Sequence, residues 1–132
     1  MSRKKGFTLI ELLVAITLIS LLASMAIASY SASRRHGRNA KRRGDMVALQ
    51  QAFEQYYIDN GTYDADCNTM VTNYIQGTFP SDPLSTGTPY ATSCVATSYC
   101  ICALLEGGGG GNSSDSACTF GTGDWFCKEN QQ

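Results

Sequence analysis

Basic residues all but vanish from the distal two thirds of this 132-residue chain: beyond Gly44 only Lys128 is basic, against ten acids. Histidine is scarcer still, with His36 alone. A single histidine outside the distal part leaves no Ser-His-Asp or Cys-His arrangement there, so no catalytic role is expected. Charge is also missing from the start of the chain, where the 21 residues from Phe7 to Ile27 hold one formal charge, Glu11. Once that run is set aside about 100 residues remain, enough for one small domain and not for two.

The apolar run is long enough to span a membrane. As a helix rising about 1.5 Å per residue it is roughly 31 Å long, enough to cross a hydrocarbon core of about 30 Å. Thr8, Thr17, Ser20 and Ser24 can return their hydroxyls to the helix's own carbonyls and cost little in lipid. Glu11 cannot hide that way. An ionised side chain at membrane depth costs roughly 2.5 to 3.5 kcal/mol on insertion scales, so this acid needs a partner.

The flanks set the run apart from a secretory signal, which carries its cleavage site after the apolar stretch. Here Arg3-Lys4-Lys5 is followed at once by Gly6, before the run begins. Lys4-Lys5-Gly6-Phe7-Thr8-Leu9-Ile10-Glu11-Leu12 resembles the class III signal of type IV prepilins and pseudopilins. The resemblance covers about the first 25 to 30 residues. It implies that Gly6 ends a leader cut by a prepilin peptidase and that Phe7 becomes an N-methylated N-terminus. It also implies that Glu11 pairs with the N-terminal amine of a neighbouring subunit. Opposite charges in a poorly screened interior attract strongly, and either alone would bear an unrepaid desolvation cost.

Arg34, Arg35, Arg38, Lys41, Arg42 and Arg43 form a basic belt within ten residues. Positive residues favour the cytoplasmic side, so charge counting alone would reverse the topology. Six cysteines argue for an oxidising compartment and, with the leader, put the distal part outside the cytoplasm. The belt then reads as a solvated or lipid-facing helix against anionic head groups, or as a face toward acidic parts of neighbouring subunits. Nucleic acid is a further partner chemistry through phosphate neutralisation, although no aromatic residues interleave with the belt to stack on bases.

No proline interrupts Tyr30 to Arg43, so helix continues there, softened at Gly37 and Gly44. From Asp45 the pattern is amphipathic, with Met46, Leu49, Phe53, Tyr56 and Tyr57 on one stripe on which a domain packs. Asn60-Gly61 is a helix stop, and Tyr56 to Tyr63 is similar to the helix end of many pilins. Tyr63 to Ser93 is dense in breakers and reads as loop, with Met70, Val71, Tyr74 and Ile75 as one helical turn packed beneath it. Tyr99 to Leu105 is the best strand, with Cys100, Cys102 and Leu104 on one face. Asp124 to Lys128 is a second strand pairing with it, and Val95 to Thr97 or Cys118 to Phe120 a further one. Gly107 to Gly111 is a flexible turn; a phosphate-cradling reading lacks the helix and the lysine.

Cys67, Cys94, Cys100, Cys102, Cys118 and Cys127 allow 15 pairings. Disulfides are favoured over zinc because Cys100-Ile101-Cys102 is spaced too closely for a usual zinc knuckle and no histidine lies near. Cys118–Cys127, closing the turn at Gly121-Thr122-Gly123, is the first choice. The resemblance adds calcium as an alternative for the C-terminal loops, where Asp64, Asp66, Asp82, Asp115 and Asp124 are otherwise turn acids.

The expected architecture is α+β: leader 1–6, transmembrane and filament-core helix 7–30, helix continuation 31–60, and a disulfide-rich antiparallel β head 61–132. The expected function is a non-enzymatic structural subunit of a type IV pilus-like filament. Its alternatives are a major pseudopilin of a type II secretion system and a minor tip pilin that binds DNA or another ligand. The implied partners are other copies of the chain in a helical homopolymer, the prepilin peptidase, an assembly platform with its ATPase, and the membrane before assembly. The subunit would sit in the cytoplasmic membrane with its head outside, and at the cell surface once assembled.

Overall fold

The computed structural model describes residues 6–108 and 110–132; Arg3-Lys4-Lys5 and the leader up to residue 5 lie outside the described residues. One helix, α1 (Leu9–Asn60), precedes three strands, β1 (Ala91–Val95), β2 (Ser98–Leu104) and β3 (Trp125–Glu129). The chain divides into two compact units, Met1–Arg34 and Arg35–Gln132.

Among the described residues, the first unit is apolar surface without a core. Every large apolar side chain from Phe7 to Ile27 is exposed, and α1 is long and apolar enough here to cross a membrane. Thr17 donates to the carbonyl of Val14, Ser20 to that of Ile16 and Ser24 to that of Leu21, each at 2.7 to 2.8 Å. Those hydroxyls therefore present no unpaired donor to lipid.

The second unit packs around the amphipathic part of α1. Met46, Leu49 and Phe53, spaced by three and four, are fully buried against Tyr63, Met70, Val71, Tyr99, Ile101 and Ala103. Tyr56 and Tyr57 flank that core half-buried, so the expected stripe is the packing face. The helix stops as expected. Gly61 takes φ +75° and its N–H reaches the Tyr57 carbonyl at 2.7 Å, the left-handed cap that glycine adopts without strain. Met70 and Val71 sit in successive tight turns bonded from Thr69 to Asp66 and from Val71 to Asn68, close to the helical turn expected there.

The sheet has order β1-β2-β3, antiparallel throughout. β2 is central. Its Tyr99, Ile101 and Ala103 join the core, while Cys100, Cys102 and Leu104 take the opposite face by alternation. β3 pairs as expected. The further strand lies slightly earlier than expected, at Ala91–Val95, with Ala96 and Thr97 forming the two-residue hairpin turn. Cys118 to Phe120 forms no strand; Phe120 makes only an isolated bridge to Ser113.

The expected Cys118–Cys127 bridge is corrected. The disulfides are Cys67–Cys94, Cys100–Cys118 and Cys102–Cys127. Register is the reason. Cys102 and Cys127 are direct partners across β2 and β3, with Cα atoms 4.1 Å apart, so strand pairing itself places these two side by side. Cys100 shares that sheet face, and the segment after Asn112 folds over it and delivers Cys118. On the chain-entropy picture each bridge, closing 18 to 27 residues, contributes about 3 kcal/mol.

Candidate functional site: the helix N-terminus and the basic belt

Glu11 is engaged locally. Thr8 donates to Glu11 Oε2 twice, from its backbone N–H at 2.9 Å and its hydroxyl at 2.8 Å, and the Glu11 N–H returns a bond to Thr8 Oγ1 at 3.4 Å. This reciprocal arrangement is a capping box, which satisfies two of the donors left open at a helix start. The Thr8-Leu9-Ile10-Glu11 spacing is its signature in sequence, a signal that the class III resemblance overshadowed. The carboxylate is thus held at the start of α1 by Thr8, the residue after Phe7, which is itself 89% exposed. Gly6 has open space around it: a Cβ built there meets nothing within 4 Å.

The belt divides into two kinds of cation, which the sequence does not distinguish. Arg38 donates to both oxygens of Glu106, from Nε at 2.7 Å and Nη2 at 2.5 Å. Arg42, one turn on, donates to Glu106 Oε1 at 2.6 Å and to both oxygens of Asp82 at 2.6 and 2.9 Å. Asn39 accepts from the Glu106 N–H at 2.9 Å and donates to its carbonyl at 3.0 Å, which fixes the acid's backbone on the helix. Arg42 is 2% exposed. It is a buried clamp cation, and the lipid-facing or solvated reading of the belt fails for Arg38 and Arg42. The helix needs these charges to hold the loop at Asp82 and the end of β2.

The clamp shifts its members in one sense. Hydrogen bonding from Arg38, helped by Arg42, overcomes desolvation and lowers the Glu106 carboxyl from its ordinary 4.5 to about 2. Arg42 holds Asp82 below the usual carboxylate range. Hydrogen bonding to Asp82 raises Arg42 in turn, as expected for charges stabilised by opposite neighbours. Lys41 pairs with Asp45 at 3.0 Å, a surface contact worth little.

A second polar knot lies inside the head. Tyr99 donates to Glu54 at 2.7 Å and Tyr63 donates at 3.1 Å, while their rings meet edge to face with centroids 5.0 Å apart. Burial and the Glu54 carboxylate push both phenols well above their ordinary value. The loop acids serve their own turns: Asp64 accepts from the Asp66 N–H, Asp66 from Asn68, and Asp115 from Ala117 and Thr119. Among the described residues the one group close enough to share a metal is Cys100, Cys102 and Cys118, whose sulfurs are all in disulfides. These three sulfurs are thus committed to disulfide pairs.

The family model for the prokaryotic N-terminal methylation motif matches residues 1–27. The type IV wide pilus major component PilA4 of Thermus thermophilus is 31% identical over 108 residues, 82% of this chain and 79% of that protein. Type II secretion system core protein G is 35% identical over 63 residues in Klebsiella pneumoniae, 48% of this chain and 45% of that protein. In Vibrio cholerae the same protein is 30% identical over 98 residues, 63% and 67% of the two chains. The match thus spans under half the length of the Klebsiella relative. No solved structure matches the chain significantly. With an acid held at the head of an uncovered apolar helix, a disulfide-braced head behind it, and a relative matched over most of both chains, the protein belongs to the type IV pilin and pseudopilin family.

Proposed function

We propose that this chain is a non-enzymatic structural subunit of a type IV pilus-like filament, stored in the cytoplasmic membrane with its head outside and polymerised through its N-terminal helix. The observation that carries this reading is the 21-residue apolar surface from Phe7 to Ile27, its large side chains exposed throughout and bearing one acid. Such a surface needs lipid first and other apolar helices afterwards. Gly6 has no neighbour that would reject a side chain, so an external catalyst that must approach the backbone explains the glycine better than the fold does. A prepilin peptidase would hydrolyse the Gly6–Phe7 bond and create an amine one residue from the Thr8–Glu11 box. In lipid that box keeps Glu11 satisfied; in the filament the carboxylate meets the amine of Phe7 of a neighbouring subunit. Head-to-tail contacts of this kind propagate as an open helix instead of closing.

A pseudopilin of a type II secretion system is the second reading, favoured by the similarity to core protein G. Both readings share the processing and assembly steps, including the platform and ATPase that would drive extraction. The test is electron microscopy of filaments sheared from the surface, with mass analysis of their subunits. A mature chain beginning at Phe7 and dominating long filaments supports the pilus. Recovery only as short filaments with an active secretion system supports the pseudopilus, and a mature chain retaining Met1 defeats both.

A further inference from the structure

Arg35 and Arg43 stand apart from Arg38, Lys41 and Arg42. Among the described residues neither makes an ion pair, whereas Arg38, Lys41 and Arg42 all do. They are held by uncharged groups instead. Arg43 donates from Nη2 to the Gly110 carbonyl, and its Cζ lies 5.2 Å from the centroid of the Phe126 ring, which Lys128 Nζ also approaches at 5.8 Å. The Arg35 guanidinium lies against Gly107 so closely that a Cβ there would meet its Cζ at 2.7 Å. A carbonyl, a glycine and a ring fix a guanidinium in place without neutralising it. Together with His36, Asn39 and the backbone at Gly107 and Gly108, the two arginines line an open concavity of about 440 Å³. Glu106 also borders it, but its carboxylate is taken up by Arg38 and Arg42, so the wall stays positive.

Two positioned, unneutralised guanidinium forks suit a phosphate oxyanion, to which arginine binds in bidentate fashion. The place of Arg35 in the chain selects the source of that phosphate. It follows Ile27 by eight residues, so connectivity keeps it within about 28 Å of the membrane edge even if the chain is fully extended, and lipid head groups are the nearest source of phosphate if Phe7 to Ile27 spans the membrane. Nucleic acid fits less well, because the Phe126 ring that Arg43 lies over already faces two cations in place of a stacked base. Resting on the membrane-storage reading, we propose that the concavity formed by Arg35, Arg43 and the backbone at Gly107 and Gly108 binds the phosphodiester head group of an anionic phospholipid at the outer face of the membrane. That contact holds the stored subunit at the surface and is given up on extraction.

Full-length protein in neutral detergent micelles, titrated with phosphatidylglycerol or phosphatidylcholine and read by native mass spectrometry, tests this. Wild type should retain phosphatidylglycerol over phosphatidylcholine by on the order of 10-fold or more, the scale set by two basic side chains at an anionic surface. R35Q/R43Q should lose that preference with its three disulfides and near-ultraviolet circular dichroism intact, and R35K/R43K should keep part of it. Inorganic phosphate should compete only in large excess. Equal retention of the two lipids by wild type, or undiminished preference in R35Q/R43Q, overturns the proposal. So does displacement of the lipid by duplex DNA at equal phosphate concentration, which would assign the site to nucleic acid. Flotation with phosphatidylcholine vesicles, run in parallel, separates the two readings: protein that floats but shows no lipid preference defeats only the head-group site, and protein that does not float defeats the membrane-storage reading beneath it.

Discussion

Replacing Glu106 by Gln should loosen the head from its helix, because one carboxylate receives bonds from two arginines. Arg38 reaches both of its oxygens and Arg42 one, all within 2.7 Å. An amide in its place keeps one acceptor, turns an NH₂ toward guanidinium donors, and removes the charge that offsets two cations. Removing one partner of a fully buried pair costs about 3 to 5 kcal/mol. The Glu106 side chain is 25% exposed and Arg42 keeps Asp82, so a loss of about 2 to 3 kcal/mol is expected here. For a unit of roughly 100 residues that lowers the melting temperature by about 10 to 20 °C. Acid supplies an independent arm. The folded Glu106 carboxyl binds its proton less readily than the unfolded one, so its contribution is complete above 4.5 and is lost as the pH falls toward about 2. Thermal melting of the full-length protein in detergent, followed by near-ultraviolet circular dichroism at pH 7 and at pH 3, measures both effects. Wild type should lose stability between these pH values and E106Q distinctly less. If E106Q melts within about 2 °C of wild type at pH 7, or if acid destabilises the two proteins equally, the clamp does not hold the head.

Peptide mapping of the exported protein under non-reducing conditions should recover Cys67–Cys94, Cys100–Cys118 and Cys102–Cys127 with no free thiol; a Cys118–Cys127 peptide would contradict the sheet register. C102A/C127A should cost about 2 to 4 kcal/mol in chemical denaturation, since the bridge joins paired positions of β2 and β3. Tyr99→Phe should keep the ring packed on Phe53 and lose only the bond to Glu54, lowering stability by about 1 kcal/mol. An unchanged denaturation midpoint in Y99F would show that the Glu54 knot adds nothing.

What could be read from the sequence was local. The apolar run, the stripe at Met46, Leu49 and Phe53 and the stop at Asn60-Gly61 all follow from short-range periodicity and cap chemistry. β2 and β3 were legible because β-favouring residues cluster there. The Thr8–Glu11 box was equally legible but was eclipsed by a more specific motif covering the same residues. Pairings set by tertiary register were not legible. Proximity in sequence suggested Cys118 with Cys127, whereas alternation and strand pairing put Cys127 opposite Cys102. The clamp joins residues 40 to 68 positions apart, so no periodicity reveals it. One hint was present: no charged residue occurs between Asp82 and Glu106, and these two bounding acids are the ones Arg38 and Arg42 claim.

In the proposed assembly Glu11 joins subunits through the amine that leader cleavage creates. Its most direct measurement is the ratio of filament-associated to membrane-associated mature subunit, wild type against Glu11→Val, with Glu11→Asp as a graded control. Valine leaves the apolar surface intact, so insertion and cleavage after Gly6 should proceed. It strands the Phe7 amine of a neighbour in the filament core, at about 3 to 5 kcal/mol, enough to disfavour each docking step by a factor of about a hundred or more. Glu11→Val should accumulate in the membrane, processed and poorly incorporated, with Glu11→Asp in between. Assembly of Glu11→Val at the wild-type ratio would contradict this, leaving Glu11 as a helix cap and nothing more.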